Sequence, residues 1–203
     1  MNERTEQKIG VVGGGLMGHG IAYLFAASGH HVNVFEPFPG VRASLPQRLR
    51  AIVELLGDDP RLLTRIAAHD SLASAMQGAD WIFEAAPEKL PLKQEIFAAI
   101  EKLVAPTTVL ASNSSAIPST EIGRHLAHRE RMVGTHFWNP PHLVPLVETR
   151  RDQRDRFTFH CVLQPVADKS RNVATDGAPA PSRRVAAVAW FAPRPHRWSS
   201  RFE

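Results

Sequence analysis

The sequence predicts an α/β fold, a doubly wound and mostly parallel sheet followed by an irregular tail, and three observations predict it. Short apolar runs alternate with segments of helical periodicity through residue 148. A glycine-rich turn joins the first run to the first helical segment. Branched apolar residues then almost vanish: residues 1–149 hold 16 Leu and 9 Ile, whereas residues 150–203 hold one Leu and no Ile.

The apolar runs are residues 9–12, 32–35, 81–85, 109–111 and 132–137, each bounded by Gly, Pro, Asn or charged residues. Strands this continuously apolar belong in a sheet covered on both faces, which is the parallel case. Met17, Ile21, Leu24 and Phe25 recur at helical spacing after the first run, and Leu92, Ile96, Ile100 and Leu103 do so later. Residues 41–67 read as a helical hairpin broken near Gly57 and Pro60. Pro140 and Pro141 turn the chain toward Leu146, Val147 and Glu148. From 149 onward Arg, Pro, Ser and Ala dominate, and such a segment buries too little apolar surface to offset its ordering entropy. We therefore divide the chain into a domain, 1–148, and a basic tail, 149–203.

At 203 residues the chain accommodates one domain and a modest appendage. Its net charge of +4 suggests a polyanion partner until it is divided along the chain. Residues 1–149 carry 13 basic against 15 acidic side chains, and residues 150–203 carry 11 against 5. The excess is confined to a tail without a regular basic face or interleaved aromatics, so no nucleic-acid partner is expected. No apolar run approaches the roughly 20 residues of a membrane span, and the opening MNERTEQK lacks the apolar stretch of a signal peptide; no membrane partner and a cytoplasmic location are expected. Cys161 is the only cysteine, which excludes an internal disulfide and a thiolate-held metal. His125 and His128 lack a third ligand and read as a surface pair, so no metal is expected.

Gly13-Gly14-Gly15-Leu16-Met17-Gly18 fits the G-x-G-x-x-G pattern between a strand and a helix. In that setting Gly13 permits the tight turn, Gly15 lets the backbone approach a pyrophosphate at the helix N-terminus, and Gly18 allows close packing. Glu36 follows at the end of the next strand, where a carboxylate binds a ribose 2′-hydroxyl and repels a 2′-phosphate. A Rossmann-type domain that takes NAD rather than NADP is the expectation.

Ligands of such sheets sit at the carboxyl ends of the strands. The polar residues there are Glu88, Lys89 and Lys93 after the third run, Ser112 to Ser115 after the fourth, and His136 with Asn139 at the fifth. A histidine at a strand end acts as general base on an alcohol when a carboxylate orients it, and Glu148 lies twelve residues on. Spacing alone leaves open a second reading, a core histidine and a solvated carboxylate.

The segments GGGLMGHG, FEP, EAAPEKLPLK, ASNSSAIPSTEI and GTHFWNPPHLVPLVE together resemble the L-3-hydroxyacyl-CoA dehydrogenase family over residues 8–148. The resemblance implies NAD-dependent interconversion of 3-hydroxyacyl and 3-ketoacyl thioesters in fatty-acid metabolism. It makes His136 the catalytic base, Glu148 its orienting partner, and Ser115 a donor to substrate hydroxyl and cofactor. It also places Glu36, Glu88, Lys93 and Asn139 against NAD. Family members continue past the position of Glu148 into a helical domain that completes the active site and forms the dimer. Residues 150–203 hold no counterpart of its D-x-P-G-F motif, so the homodimer interface is expected to be absent. The abrupt change after Glu148 is what a reading-frame shift or truncation produces.

In residues 41–67 the Ser and Lys that contact coenzyme A in the family are not evident, Arg48 and Arg50 being the nearest basic substitutes. Two further readings follow. One is a dehydrogenase of a free hydroxy acid, like the gulonate, carnitine and λ-crystallin branch; the other is an NAD-binding remnant without turnover. The small-molecule partner is accordingly an acyl-CoA or a hydroxy acid.

Overall fold

A computed structural model describes residues 6–150 and 158–160. The chain begins with β1 (Lys8–Val12), α1 (Gly18–Ala27), β2 (His31–Phe35) and α2 (Pro39–Leu56). After a 3-10 helix, Pro60–Arg65, come β3 (Ile66–His69), α3 (Leu72–Met76), β4 (Trp81–Glu84), α4 (Leu90–Glu101) and β5 (Val109–Ser112). The short α5 (Ser119–Ile122) and a 3-10 turn lead to β6 (Met132–Phe137), β7 (Val147–Arg150) and β8 (Thr158–His160).

The strands form one sheet in the order β3-β2-β1-β4-β5-β6-β7-β8. Pairing is parallel from β3 to β6 and antiparallel for β6–β7 and β7–β8. The chain steps outward from β1 through β2 to β3, then returns to the other side of β1 and runs outward again. Its direction therefore reverses between β1 and β4, and a crevice opens at their carboxyl ends.

Alternation along the strands assigns the two faces. Val12, Ile82, Leu110 and Met132 point to one side and pack with Met76, Phe97, Ile100 and Ile122 from α3, α4 and α5. On the other side Phe83 is buried against Phe25 of α1, ring centroids 4.6 Å apart, and meets Phe137 edge-on at 6.0 Å. Offset and edge contacts of this kind suit the aromatic quadrupole. The doubly wound parallel sheet is as predicted.

Residues 41–67 do not form a helical hairpin. The first arm is α2, closed at Gly57, but Pro60–Arg65 winds as a 3-10 helix whose first turn is capped by Asp59 accepting from the Arg61 amide. Residues 66–69 then extend and pair with β2, Val32 opposite Ile66 and Phe35 opposite His69. Ala67 and Ala68 have helical propensity, but the free edge of β2 offers a ladder of hydrogen bonds, and tertiary pairing overrides propensity. Past the expected boundary at 148, β7 continues to Arg150 and β8 adds three more residues to the sheet. The rest of the expected tail, Cys161 included, lies outside the described residues.

Candidate active site

The crevice is a cleft of about 440 Å³ lined by Met17, Ala85, Ala86, Glu88, Asn113, Ser115 and the segment His136 to Asn139. Each strand that reaches it delivers residues from its carboxyl end.

The turn after β1 forms one wall. Gly13 has φ of +95°, a left-handed conformation that side chains disfavour, and an added Cβ would stand 2.9 Å from the Ala85 carbonyl oxygen. At Gly18 an added Cβ would stand only 1.7 Å from the Gly13 carbonyl oxygen, so the turn itself, more than the packing of helix on strand, demands glycine there. An added Cβ at Gly15 would meet nothing within 4 Å, which leaves the backbone open toward a ligand. No side chain caps α1 at Met17 and no acid occupies its first turn, which suits an anion at this helix end, while the His19 amide donates to the Gly15 carbonyl at 3.3 Å. Leu16 is exposed beside this turn.

Glu36 is buried behind the same turn. Its Oε2 accepts from the Gly14 amide at 2.8 Å and its Oε1 from the Phe38 amide at 2.9 Å. Each oxygen keeps lone-pair capacity for a diol while the carboxylate charge excludes a phosphate. The open face at Gly15, the uncapped helix end and the anchored carboxylate together fit an adenine dinucleotide bearing a free 2′-hydroxyl.

The opposite wall rests on an ion-pair network. Lys93 is 1% exposed, and its ammonium donates to Glu84 Oε1 at 2.7 Å and to the Ala86 carbonyl at 3.2 Å, with Glu88 Oε2 at 3.3 Å. Lys93 therefore does not face the cleft, because its donors are taken up beneath it. Glu84 is fully buried and also accepts from the Ala86 amide at 2.7 Å and the Ser112 hydroxyl at 2.6 Å. Glu88 reaches the cleft and accepts from the Ser114 hydroxyl and the Ala116 and Ile117 amides. Its partial burial raises the carboxyl pKa, but Ser114, the two amides and Lys93 together outweigh that and hold it down at about 2.

His136 and Glu148 are directly opposite one another in the β6–β7 ladder. The His136 Nδ1 lies 3.6 Å from Glu148 Oε2, and Trp138 Nε1 donates to Glu148 Oε1 at 3.2 Å. The histidine side chain is 31% exposed on the cleft side and the carboxylate 16% exposed behind it. Asn113 Oδ1 accepts from the Phe137 amide at 2.8 Å and ties the end of β5 to that of β6. Ser115 and Asn139 line the same cleft.

Of the residues singled out from sequence, Met17, Glu88, Ser115, His136 and Asn139 line the cleft; Gly13, Gly15, Leu16, Gly18 and Glu36 belong to the dinucleotide turn; Glu148 stands behind His136. Glu84, Asn113 and Trp138 were not assigned roles. The detectable signal is the acid inside the apolar run of residues 81–85, since a buried carboxylate requires a cation nearby. Among the described residues no group of three potential metal ligands occurs, and no helix is long and apolar enough to cross a membrane.

The family described as "3-hydroxyacyl-CoA dehydrogenase, NAD binding domain" matches residues 8–170, which extends past Glu148. The chain is 32% identical over 147 residues to 5-formyl-3-hydroxy-2-methylpyridine 4-carboxylate 5-dehydrogenase of Mesorhizobium japonicum, covering 70% of this chain and 48% of that protein. It is 34% identical over 151 residues to the mitochondrial hydroxyacyl-coenzyme A dehydrogenase of Homo sapiens, covering 68% and 48%. The crystal structure of M. tuberculosis FadB2 superposes with a TM-score of 0.67 at 34% identity, covering 71% of this chain and 53% of that one. The chain thus spans about half the length of these relatives. With its glycine turn, anchored Glu36 and His136–Glu148 pair in place, the chain belongs to the 3-hydroxyacyl-CoA dehydrogenase family and carries the NAD-binding domain of that family.

Proposed function

We propose that the protein oxidises the hydroxyl of a 3-hydroxyacyl thioester to a ketone, and reverses that step, with NAD as cofactor. The observation that carries the reading is the His136–Glu148 cross-strand pair, which presents an oriented imidazole to the cleft beside Ser115 and Asn139. With Glu148 beside Nδ1, that nitrogen keeps its proton and Nε2 is the free base. His136 takes the substrate hydroxyl proton at Nε2, and Glu148 stabilises the imidazolium that results. When bound, NAD supplies the acceptor for the hydride that leaves the carbinol carbon. The Ser115 hydroxyl donates to the substrate oxygen, Trp138 holds the Glu148 carboxylate, and Glu36, Glu88 and Asn139 hold the cofactor. Lys93 acts through Glu88.

One observation favours the free hydroxy acid as the alternative substrate. Of the arginines of α2, Arg42 turns back to the Glu36 carbonyl and Arg48 gives Nη2 to the Val41 carbonyl of its own helix, so Arg50 alone stands on the exposed face for a coenzyme. The M. japonicum relative, by its name, acts on a pyridine carboxylate.

The test is oxidation of NADH by acetoacetyl-CoA and, separately, by acetoacetate, with His136→Ala as control. Turnover of the thioester that the control loses supports the proposal. Turnover of acetoacetate alone transfers it to the free acid. NADH binding without turnover of either substrate refutes it and favours a binding remnant.

A further inference from the structure

A second cluster of polar groups lies away from the cleft lining, where α1, α2 and the 140–146 connection meet. His19 of α1 is 2.6 Å from the Gly15 carbonyl through Nδ1, so Nδ1 carries a proton and donates. Arg48 of α2 approaches that same Nδ1 at 3.4 Å with Nη1, which finds a donor there and not an acceptor. Its Nη2 donates to the Val41 carbonyl, and its Nε is buried without a hydrogen-bond partner. His142 packs near His19, ring centroids 6.5 Å apart, and edge-on to Tyr23 at 6.4 Å, and its Nδ1 is likewise buried and unpartnered. The other ionisable groups here are Tyr23, whose hydroxyl donates to Asp58, and Asp58 itself. Among the described residues no carboxylate forms an ion pair with Arg48.

Arg48 thus keeps a buried Nε–H without an acceptor, turns Nη1 toward a donor on His19 and has no acid paired with it, and His142, the neighbour of His19, holds a buried Nδ1 without a partner. We infer that Arg48, His19 and His142 bind an oxyanion, the chemistry shared by a free carboxylate and a phosphate group. Arg48 supplies the permanent charge and the forked donors, and the histidines supply further donors once protonated. Burial depresses the pKa of both histidines, with Arg48 adding to this at His19 and His19 at His142. Burial thus favours their neutral forms and an arriving anion favours the protonated ones, so affinity rises as pH falls. The site does not depend on the dehydrogenase reading, because anion binding is measured without turnover.

The test follows the histidine ring resonances of the full chain by NMR while inorganic phosphate or malonate is added, with and without NAD. The expected result is that His19 and His142 move, that their titration midpoints rise, and that NAD leaves the effect in place. Arg48→Gln should weaken it about tenfold or more, and Arg48→Lys by less. A response to malonate alone assigns a free carboxylate, and a response to phosphate alone assigns a phosphate group. Unmoved His19 and His142 in the wild-type chain, binding that NAD abolishes, or binding unchanged in a folded Arg48→Gln chain overturns the inference. The wild-type spectra decide the matter if that variant does not fold.

Discussion

Replacing Lys93 by Met leaves the fully buried Glu84 carboxylate with no cation. The ammonium is 1% exposed and 2.7 Å from Glu84 Oε1, so the pair has little water to fall back on. The Ala86 amide and the Ser112 hydroxyl still donate to Glu84, but neither neutralises it. Breaking a buried pair from one side costs about 3–5 kcal/mol, a large share of the roughly 5–15 kcal/mol that holds a domain folded. With a urea slope of about 2 kcal/mol/M, the midpoint should fall by about 2 M. Adding Glu84→Gln removes the stranded charge, and the double variant should regain most of the loss. Urea unfolding followed by circular dichroism and tryptophan emission measures all three chains. A loss below about 1 kcal/mol in the single variant, or strictly additive losses in the double, would refute the assignment of this network as a tightly coupled buried pair.

Three further perturbations address the cofactor site. Gly18→Ala puts a methyl group 1.7 Å from the Gly13 carbonyl oxygen, so the turn must open; NAD affinity measured by fluorescence titration should drop more than about tenfold, and an unchanged value would mean the turn does not shape the site. Glu36→Ala removes the acceptor for the Gly14 and Phe38 amides and the charge that repels a 2′-phosphate; NAD should weaken by about ten- to a hundredfold and NADP should cease to be discriminated against, which parallel titrations of both cofactors would reveal. Glu88, held down to about 2 from its ordinary 4.5, stabilises the fold fully above pH 4.5 and loses that contribution as pH falls toward 2. Allowing for screening of a side chain 38% exposed, it contributes about 1–2 kcal/mol, and Glu88→Gln should flatten the acid limb of the stability profile between those values. A limb of unchanged steepness would contradict the assignment.

What could be read from the sequence divides along the line between local and non-local causes. Of the six strands paired in parallel, β1, β2, β4, β5 and β6 each coincide with a mostly apolar run, because both faces of the sheet are covered, and such a run is visible within one segment. The glycine turn and Glu36 are equally local, since one tight loop and the end of one neighbouring strand suffice to explain them. The strand β3 is different: Ile66-Ala67-Ala68-His69 has two of its four side chains exposed and gains its conformation from the edge of β2, a partner more than thirty residues away. The same distinction governs the site. Ser115, His136 and Asn139 follow strand ends and could be located by that rule, whereas twelve residues of spacing could not show that Glu148 faces His136. The antiparallel register of β6 and β7 does so, by making them direct cross-strand partners.

Lys93 shows the limit most sharply, since after the third apolar run it reads as one more polar group at the ligand end of the sheet. Its burial follows from the β4–β5 register, which sets Ser112 opposite Glu84 and closes the sheet end over the carboxylate. Once Glu84 is fixed there, the only low-cost arrangement is a cation from the helix that begins immediately above it, and Lys93 meets that condition nine residues on. A charge that seemed to await the cofactor thus completes the floor beneath it. Glu88 is the member of the network that remains partly exposed, at the lining of the cleft.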